Sequence, residues 1–249
     1  MRGLGTLINV ATVLIGATIG MFLKGGLPPR FVKTVKSAAG LSTIIIGITG
    51  TLSEMFSVNT DGTISTNGVM LMVISLVIGA IAGEAINIED KLERLGNFCK
   101  YKASFLAKDN PKFVDGFVST SLLFCVGAMA IVGSIQDGLT GNYTTLAAKA
   151  VLDGVMSIVM AASLGGGVYL SAISVLIYQG LITLLASVLE PVMTGVLISQ
   201  LSLVGSVLVM AIGFNLLFDK KVVKVGNLLP AVLIPVFYQI VLKIIGLIQ

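Results

Sequence analysis

Two oppositely charged side chains lie one helical turn apart inside an otherwise apolar stretch of the chain. Lys149 and Asp153 fall within residues 145–164, where the remaining residues are apolar or small. Residues i and i+4 share one face of a helix, and an ionisable group within a membrane span is costly and usually functional. The pattern predicts that Asp153 holds a cation or a proton, with Lys149 as its counter-ion. The alternative is a self-neutralising pair that only docks this helix against its neighbours.

Three neutral amide side chains, Asn9, Gln179 and Asn215, also fall within apolar stretches. Amides within membrane spans often form hydrogen bonds between helices, but their oxygens also suit hard cations such as Na⁺. We therefore predict one ion- or substrate-binding set. Its members are Asp153, Lys149, Gln179, Asn9 and Asn215.

Two further features bear on access to such a site. Glu54, Asp137 and Glu190 fall at or just beyond the ends of apolar stretches, and together they predict an acidic outer vestibule that concentrates cations. Solvation of each carboxylate at a helix end is the alternative. The run Gly165, Gly166 and Gly167 predicts either a tight turn between two helices or a broken, re-entrant segment whose ends point at a ligand.

Several kinds of chemistry are excluded by composition. The chain has no histidine, so Ser–His–Asp triads and histidine-based zinc sites are absent. Cys99 and Cys125 are 26 residues apart, one in a basic stretch and one in an apolar run, which argues against a disulfide. No phosphate-binding Gly-x-x-x-x-Gly-Lys-Ser/Thr loop occurs. We therefore expect no enzyme, no metal and no cofactor.

The composition indicates what must position these residues. Of 249 residues, 55% are hydrophobic and only 11% are charged, whereas about 25% of a soluble domain is charged. A membrane-spanning helix needs roughly 20 mostly apolar residues. We predict an all-α, polytopic membrane helix bundle. Its eight spans are 4–23, 38–56, 67–86, 113–135, 145–164, 168–189, 200–218 and 228–247.

The basic residues predict the orientation of this bundle. Residues 24–37, 87–112 and 219–227 contain 13 of the 16 lysines and arginines, and all three stretches fall on one side of an eight-span chain. By the positive-inside rule that side is cytoplasmic, which places both termini outside a bacterial inner membrane. The net charge of +4 therefore requires no nucleic-acid partner, and the lipid bilayer is the expected one.

The segment 87–112 has an internal pattern of its own. Ile88, Leu92, Leu95 and Phe98 recur at helical spacing among charged residues, which predicts an amphipathic helix at the membrane interface. This helix acts either as a gate or lipid sensor or simply as a connector that rests on the lipid headgroups.

Small residues predict how the spans pack. Gly16 and Gly20, like Gly79 and Gly83, give smooth helix faces that allow close approach. These faces meet either within one chain or between subunits of a homo-oligomer. Similar Ile-Gly pairs in the third and seventh spans are compatible with an internal four-plus-four duplication.

Several motifs together resemble a known family. They are residues 3–9 (GLGTLIN), 121–129 (SLLFCVGAM), 133–138 (GSIQDG), 149–154 (KAVLDG), 171–172 with 179–180, and 226–231 (GNLLPA). They resemble the YqgA/YdfK-like bacterial inner-membrane proteins of unknown function over nearly the whole chain. The resemblance implies a multi-spanning protein for which a sodium channel or pump has been suggested.

The resulting functional expectation is a transporter or channel for a small solute or a monovalent cation, linked to Na⁺ or H⁺. Transport would proceed by alternating exposure around residues 145–164 and 168–189. The alternative is a non-transporting scaffold or regulator that binds a partner through residues 87–112.

Overall fold

The computed structural model describes residues 2–26, 28–102, 110–125, 128–191 and 193–245. It confirms the all-α prediction. The helices are α1 (Leu4–Gly26), α2 (Pro29–Met55), α3 (Val69–Ile86), α4 (Ile88–Lys102), α5 (Phe113–Cys125), α6 (Ala128–Thr140), α7 (Thr144–Leu164), α8 (Gly167–Leu184), α9 (Ala186–Leu189), α10 (Gly195–Phe218), α11 (Val225–Leu228) and α12 (Ile234–Ile244), with a 3₁₀ turn at Leu229–Leu233. Two short antiparallel strands, β1 (Phe56–Val58) and β2 (Ile64–Thr66), form a hairpin in the predicted connection 57–66.

Within the described residues, seven helical segments are long and apolar enough to cross a membrane, and eight if the bent pair α5–α6 counts as one. Large apolar side chains cover their outer faces, as expected of surfaces that meet lipid rather than water. Examples are Phe22, Ile45, Ile81, Leu152 and Ile177.

The predicted span 113–135 is divided between two helices in the described residues. The chain forms α5, which ends at Cys125, and α6, which begins at Ala128, and the two helix axes differ by 62°. The bend keeps Phe124 in the core, where it is fully buried, and directs α6 towards the start of α1. Residues 126–127 lie outside the described residues.

Other boundaries differ by shorter lengths. Helix α2 begins at Pro29 rather than at residue 38, with proline at the first helical position, where its missing N–H is harmless. Helix α10 begins at Gly195 because the Thr194 side chain accepts the Leu197 N–H. The predicted amphipathic helix is α4. Residues 103–109 of its segment, and 246–247 of the last span, lie outside the described residues.

The glycine-lined faces pack within this one chain. A methyl group on Gly16 would come within 2.3 Å of the Gly154 carbonyl oxygen, and one on Gly83 within 1.9 Å of the Asn227 carbonyl oxygen. Gly5 adjoins Leu146 at one end of α1, and Gly20 adjoins Ala161 nearer the other. Helices α1 and α7 therefore run parallel and in close contact.

Three of the predicted basic stretches meet at one end of the bundle, here called the lysine-rich end. Lys36 and Lys112 both bind the Asp219 carboxylate, which lies at the end of α10. Lys221 pairs with Glu89 at 3.2 Å and also with Glu93. The three basic stretches thus lie at the same end of the bundle, as the predicted topology requires. The cytoplasmic location of this end remains a prediction.

Asp219 is half-exposed, and the hydrogen bonds from Lys112 and Lys36 hold its pKa below the usual value. Its backbone has a φ of +53°, which aspartate and asparagine tolerate better than most residues. Asp219 thus ends α10 and ties it to α2 and to the residues before α5.

Candidate functional site

Helix α7 carries Lys149 and Asp153 to the middle of the bundle. Asp153 is the tenth of its 21 residues, which places its backbone about 14 Å along the helix at 1.5 Å per residue. Lys149 Nζ donates a hydrogen bond to Asp153 Oδ2. Each side chain is less than a tenth exposed. The pair is therefore shielded from solvent at mid-depth.

Two other helices complete the arrangement with amides. Asn9 on α1 donates from Nδ2 to Asp153 Oδ2 at 2.9 Å and to Gln179 Oε1 on α8 at 3.3 Å. Both amides are fully buried. The close approach of α1 to α7 at Gly16 allows these contacts. Four residues predicted from sequence as one binding set thus meet: Asn9, Lys149, Asp153 and Gln179, here called the central cluster.

The central cluster has polar atoms with no hydrogen-bond partner. Asn9 Oδ1, Gln179 Nε2 and the neighbouring Ser157 Oγ are buried and unpaired in the described structure. Sequence reasoning did not include Ser157, although it lies one turn beyond Asp153 on the same helix face. A carboxylate, an amide oxygen and a hydroxyl are oxygen ligands of the kind that hard cations prefer.

The central cluster lies against the end of α5, the first helix of the bent pair α5–α6. Phe124, in the last turn of α5, presents its ring to Lys149, with Nζ 5.9 Å from the ring centroid. The C-terminal end of a helix carries a partial negative charge, so the end of α5 also favours a cation at this depth. Discontinuous helices near the middle of the membrane are a recurring feature of transporter sites.

The run of three glycines, residues 165–167, forms the turn between α7 and α8. Gly165, with a φ of +87°, ends α7, and α8 begins at Gly167. A methyl group on Gly167 would come within 1.9 Å of the Phe113 carbonyl oxygen, and Asn110 Nδ2 donates to the Leu164 carbonyl at 2.5 Å. The alternative of a turn between two spans therefore describes this segment, and the break lies between α5 and α6.

Asn215 does not join the central cluster. Its Nδ2 donates to the Val223 carbonyl at 2.8 Å, and its Oδ1 accepts the backbone N–H groups of Val222 and Val223. The residue thus fastens the loop that follows α10, and its amide oxygen is already used.

The three predicted vestibule acids have separate surroundings. Asp137 is fully buried, and its carboxylate accepts the backbone N–H groups of Gly3 at 3.1 Å and Gly5 at 2.9 Å. It caps the positive end of α1 rather than facing an outer vestibule. Glu54 accepts a hydrogen bond from Ser199 Oγ at 2.7 Å, and Glu190 is exposed.

The ligand chemistry of the cluster fits a small monovalent ion better than a divalent metal. Across the described part of the chain, no three His, Cys, Asp or Glu side chains come together as a metal site. The cluster has one carboxylate, already balanced by one ammonium. A divalent cation would leave a large uncompensated charge at this depth.

A cleft at the lysine-rich end reaches part of the way towards the cluster. It encloses about 80 Å³, enough for several water molecules. Its lining includes the charged residues Lys36 and Asp219 and the apolar residues Leu122, Leu164 and Ile212. Leu122 lies within one turn of Phe124, which contacts the cluster.

Comparisons with known proteins agree with a membrane protein. Residues 4–240 match the model of a family described as "Protein of unknown function (DUF554)". The chain is 32% identical to the "Uncharacterized membrane protein YdfK" of Bacillus subtilis (strain 168), covering 98% of each chain. It is 30% identical to the "Uncharacterized protein YqgA" of Escherichia coli (strain K12), covering 93% of this chain and 94% of that one. No solved structure matches it.

Proposed function

This chain belongs to the DUF554 family, and from its own geometry we propose that it carries a monovalent cation across the membrane in exchange for a proton. One observation supports this proposal above the others: Asp153, Lys149, Asn9 and Gln179 converge from three helices at mid-depth, with unpaired polar atoms beside them. The cation would bind Asp153, with Asn9 Oδ1 and Ser157 Oγ as neutral ligands.

Charge balance supports the link to protons. The cluster is neutral while Asp153⁻ pairs with Lys149⁺. A cation that binds Asp153 displaces the ammonium, and an unpaired charge buried at this depth is strongly disfavoured. Loss of one proton from the cluster restores neutrality. One cation therefore enters the site for each proton that leaves it to water, and the reverse steps release the cation.

The surroundings of the cluster support alternating access. The cleft of the lysine-rich end is lined in part by Leu122, and at the opposite end Asp137 joins α6 to α1 through Gly3 and Gly5. Movement of α5 against α6 at their 62° bend would open one side while the other stays closed. A carrier must expose its binding site to one side of the membrane at a time, and this movement would do so.

Flux into reconstituted vesicles tests the proposal. With vesicles loaded at acidic pH, we expect external Na⁺ to be taken up as protons leave, and Asp153→Asn to abolish this exchange. Asp61→Asn is the matched control, because Asp61 lies in the exposed hairpin loop, where its carboxylate accepts hydrogen bonds from Thr63. Circular dichroism and gel filtration establish that both variants fold.

Either of two results would overturn the proposal. One is unchanged exchange in folded Asp153→Asn. The other is the absence of Na⁺-for-proton exchange in the wild-type protein under any imposed pH gradient, with K⁺ and Li⁺ equally inactive.

A further inference from the structure

Three buried hydroxyl groups lie beyond the central cluster, on the side where α1 begins. Thr6 precedes Asn9 by three residues on α1, and Thr183 follows Gln179 by four on α8, so each lies one turn from a cluster amide. Ser134 on α6 lies one turn before Asp137. Their exposed fractions are 3%, 8% and 0% respectively. These three residues are here called the hydroxyl layer.

The hydroxyl layer lacks the hydrogen bonds that other helical hydroxyls in this protein make. Thr6 Oγ1, Ser134 Oγ and Thr183 Oγ1 have no partner among the described residues. Although Ser75 Oγ and Ser157 Oγ are also unpaired, many other helical serines and threonines bond to a carbonyl of the preceding turn. Examples are Thr18, Thr43, Thr51, Thr120, Ser163 and Ser171. Since buried polar groups are rarely left unpaired, we expect the layer to have partners other than the described residues.

The backbones around the hydroxyl layer lie close together. Methyl groups placed on Gly5 and on Gly133 would both meet the Leu146 side chain, at 2.7 Å and 2.9 Å. One on Gly138 would come within 2.3 Å of the Thr183 carbonyl oxygen. Helices α1, α6, α7 and α8 thus converge here, with Asp137 on one side of the layer and the central cluster on the other.

We propose that ordered water occupies the hydroxyl layer and connects the central cluster to the bundle end where α1 begins. Water can both donate to and accept from the three hydroxyls, and it can bridge to the unpaired Gln179 Nε2 and Asn9 Oδ1. The bonds from Gly3 and Gly5 to Asp137 close this route at its outer end. That the route serves the exchanged proton or cation rests on the proposed function; the hydration itself does not.

Cysteine labelling tests this route without any transport assay. In a background with Cys99→Ser and Cys125→Ala, the variants Thr6→Cys, Ser134→Cys and Thr183→Cys are treated in sealed vesicles with a charged, membrane-impermeant thiosulfonate. Ser171→Cys is the buried control, because Ser171 bonds to the Val168 carbonyl at 2.6 Å on α8. Lys220→Cys, exposed at the lysine-rich end, reports the orientation of the vesicles.

We expect the three layer variants to react at least tenfold faster than Ser171→Cys, and only from the side opposite to that which labels Lys220→Cys. Adding Asp137→Ala should speed their reaction further, because it removes the closing contact. Rates equal to that of Ser171→Cys, or labelling from the Lys220 side, would overturn the inference. If the three layer variants react fast but Asp153→Asn keeps full exchange, the proposed function is contradicted and the hydration of the layer is not.

Discussion

The bundle holds its ion pairs in two very different environments. At the lysine-rich end, Lys112 and Asp219 are 38% and 55% exposed, and several lysines share several carboxylates. In the central cluster, Lys149 and Asp153 are 8% and 9% exposed and have only each other as charged partners among the contacts of the described residues. Exposed pairs are screened by water and can be exchanged cheaply. A buried pair cannot lose one member without leaving an uncompensated charge.

This contrast indicates separate roles for the two regions. The lysine-rich end ties α2, α4, α5 and α10 together through many weak, replaceable contacts. The central cluster contributes little net stability relative to an apolar core, because its desolvation offsets its attraction. The function proposed above therefore rests on this buried pair and not on the exposed ones.

The largest expected effect is on the buried pair. Lys149→Met should lower the free energy of unfolding by about 3–5 kcal/mol, because it leaves Asp153 without its counter-ion. Thermal unfolding in detergent, followed by circular dichroism, measures the loss. The double variant Lys149→Met with Asp153→Leu should recover most of it. If the double variant were as unstable as the single one, the loss would not come from the unpaired charge.

A second prediction concerns the contact that brings α1 to the buried pair. Gly16→Ala places a methyl group 2.3 Å from the Gly154 carbonyl oxygen, which should cost about 1–3 kcal/mol through overpacking. By moving α1 away, it should also weaken the Asn9–Asp153 hydrogen bond and slow exchange. Gly180→Ala is the control, since no atom lies within 4 Å of the added methyl. Equal effects of the two substitutions would contradict the packing described here.

The lysine-rich end should respond to pH where Asp219 titrates. Lys112 and Lys36 lower the pKa of Asp219 in the folded protein. Its contribution to the free energy of unfolding is therefore fully present above the unfolded-state pKa of about 3.9, and it is lost as the pH falls through the lower folded-state pKa. Screening limits that contribution to at most about 1 kcal/mol. When unfolding is measured between pH 3 and 6, the free energy of unfolding should fall less steeply towards acid pH in Asp219→Asn than in the wild type. Asparagine is chosen because it also tolerates a positive φ. An unchanged pH dependence would show that Asp219 does not contribute.

The smallest effect is expected for an exposed pair within one helix. Arg94 and Asp90 pair at 2.8 Å on α4, with Arg94 79% exposed. Arg94→Gln should change the free energy of unfolding by no more than about 0.5 kcal/mol, and added salt should abolish the difference. A loss comparable with that of Lys149→Met would remove the distinction between the two regions.

The central pair was predictable because its signals are local. Two charged residues at i and i+4 lie on the same face of a helix. Their position within the apolar stretch then indicates how far along the helix they lie. Asn9 and Gln179 were recognisable by polarity alone, since few other amides lie in apolar stretches. Local patterns carry no distances between helices, however, so their meeting at Asp153 required the structure.

Other features depend on contacts that local spacing does not encode. The cap that Asp137 provides joins residues more than 130 positions apart. The bend between α5 and α6 coincides with neither a proline nor the triple glycine. The hydroxyl layer was missed because serine and threonine are common in membrane helices and usually bond to their own backbone. These three differ from most helical hydroxyls of the described residues in lacking such bonds, as Ser75 and Ser157 also do, and they lie together at the end where α1 begins.

Proton release on cation binding tests the central claim most directly. Purified protein in weakly buffered detergent solution is titrated with Na⁺, with choline as the ionic-strength control, while a pH indicator and a Na⁺-binding measurement run in parallel. The account predicts one proton released for each Na⁺ bound, and neither event in Asp153→Asn. Na⁺ binding with no proton release, or release that persists unchanged in Asp153→Asn, would contradict it.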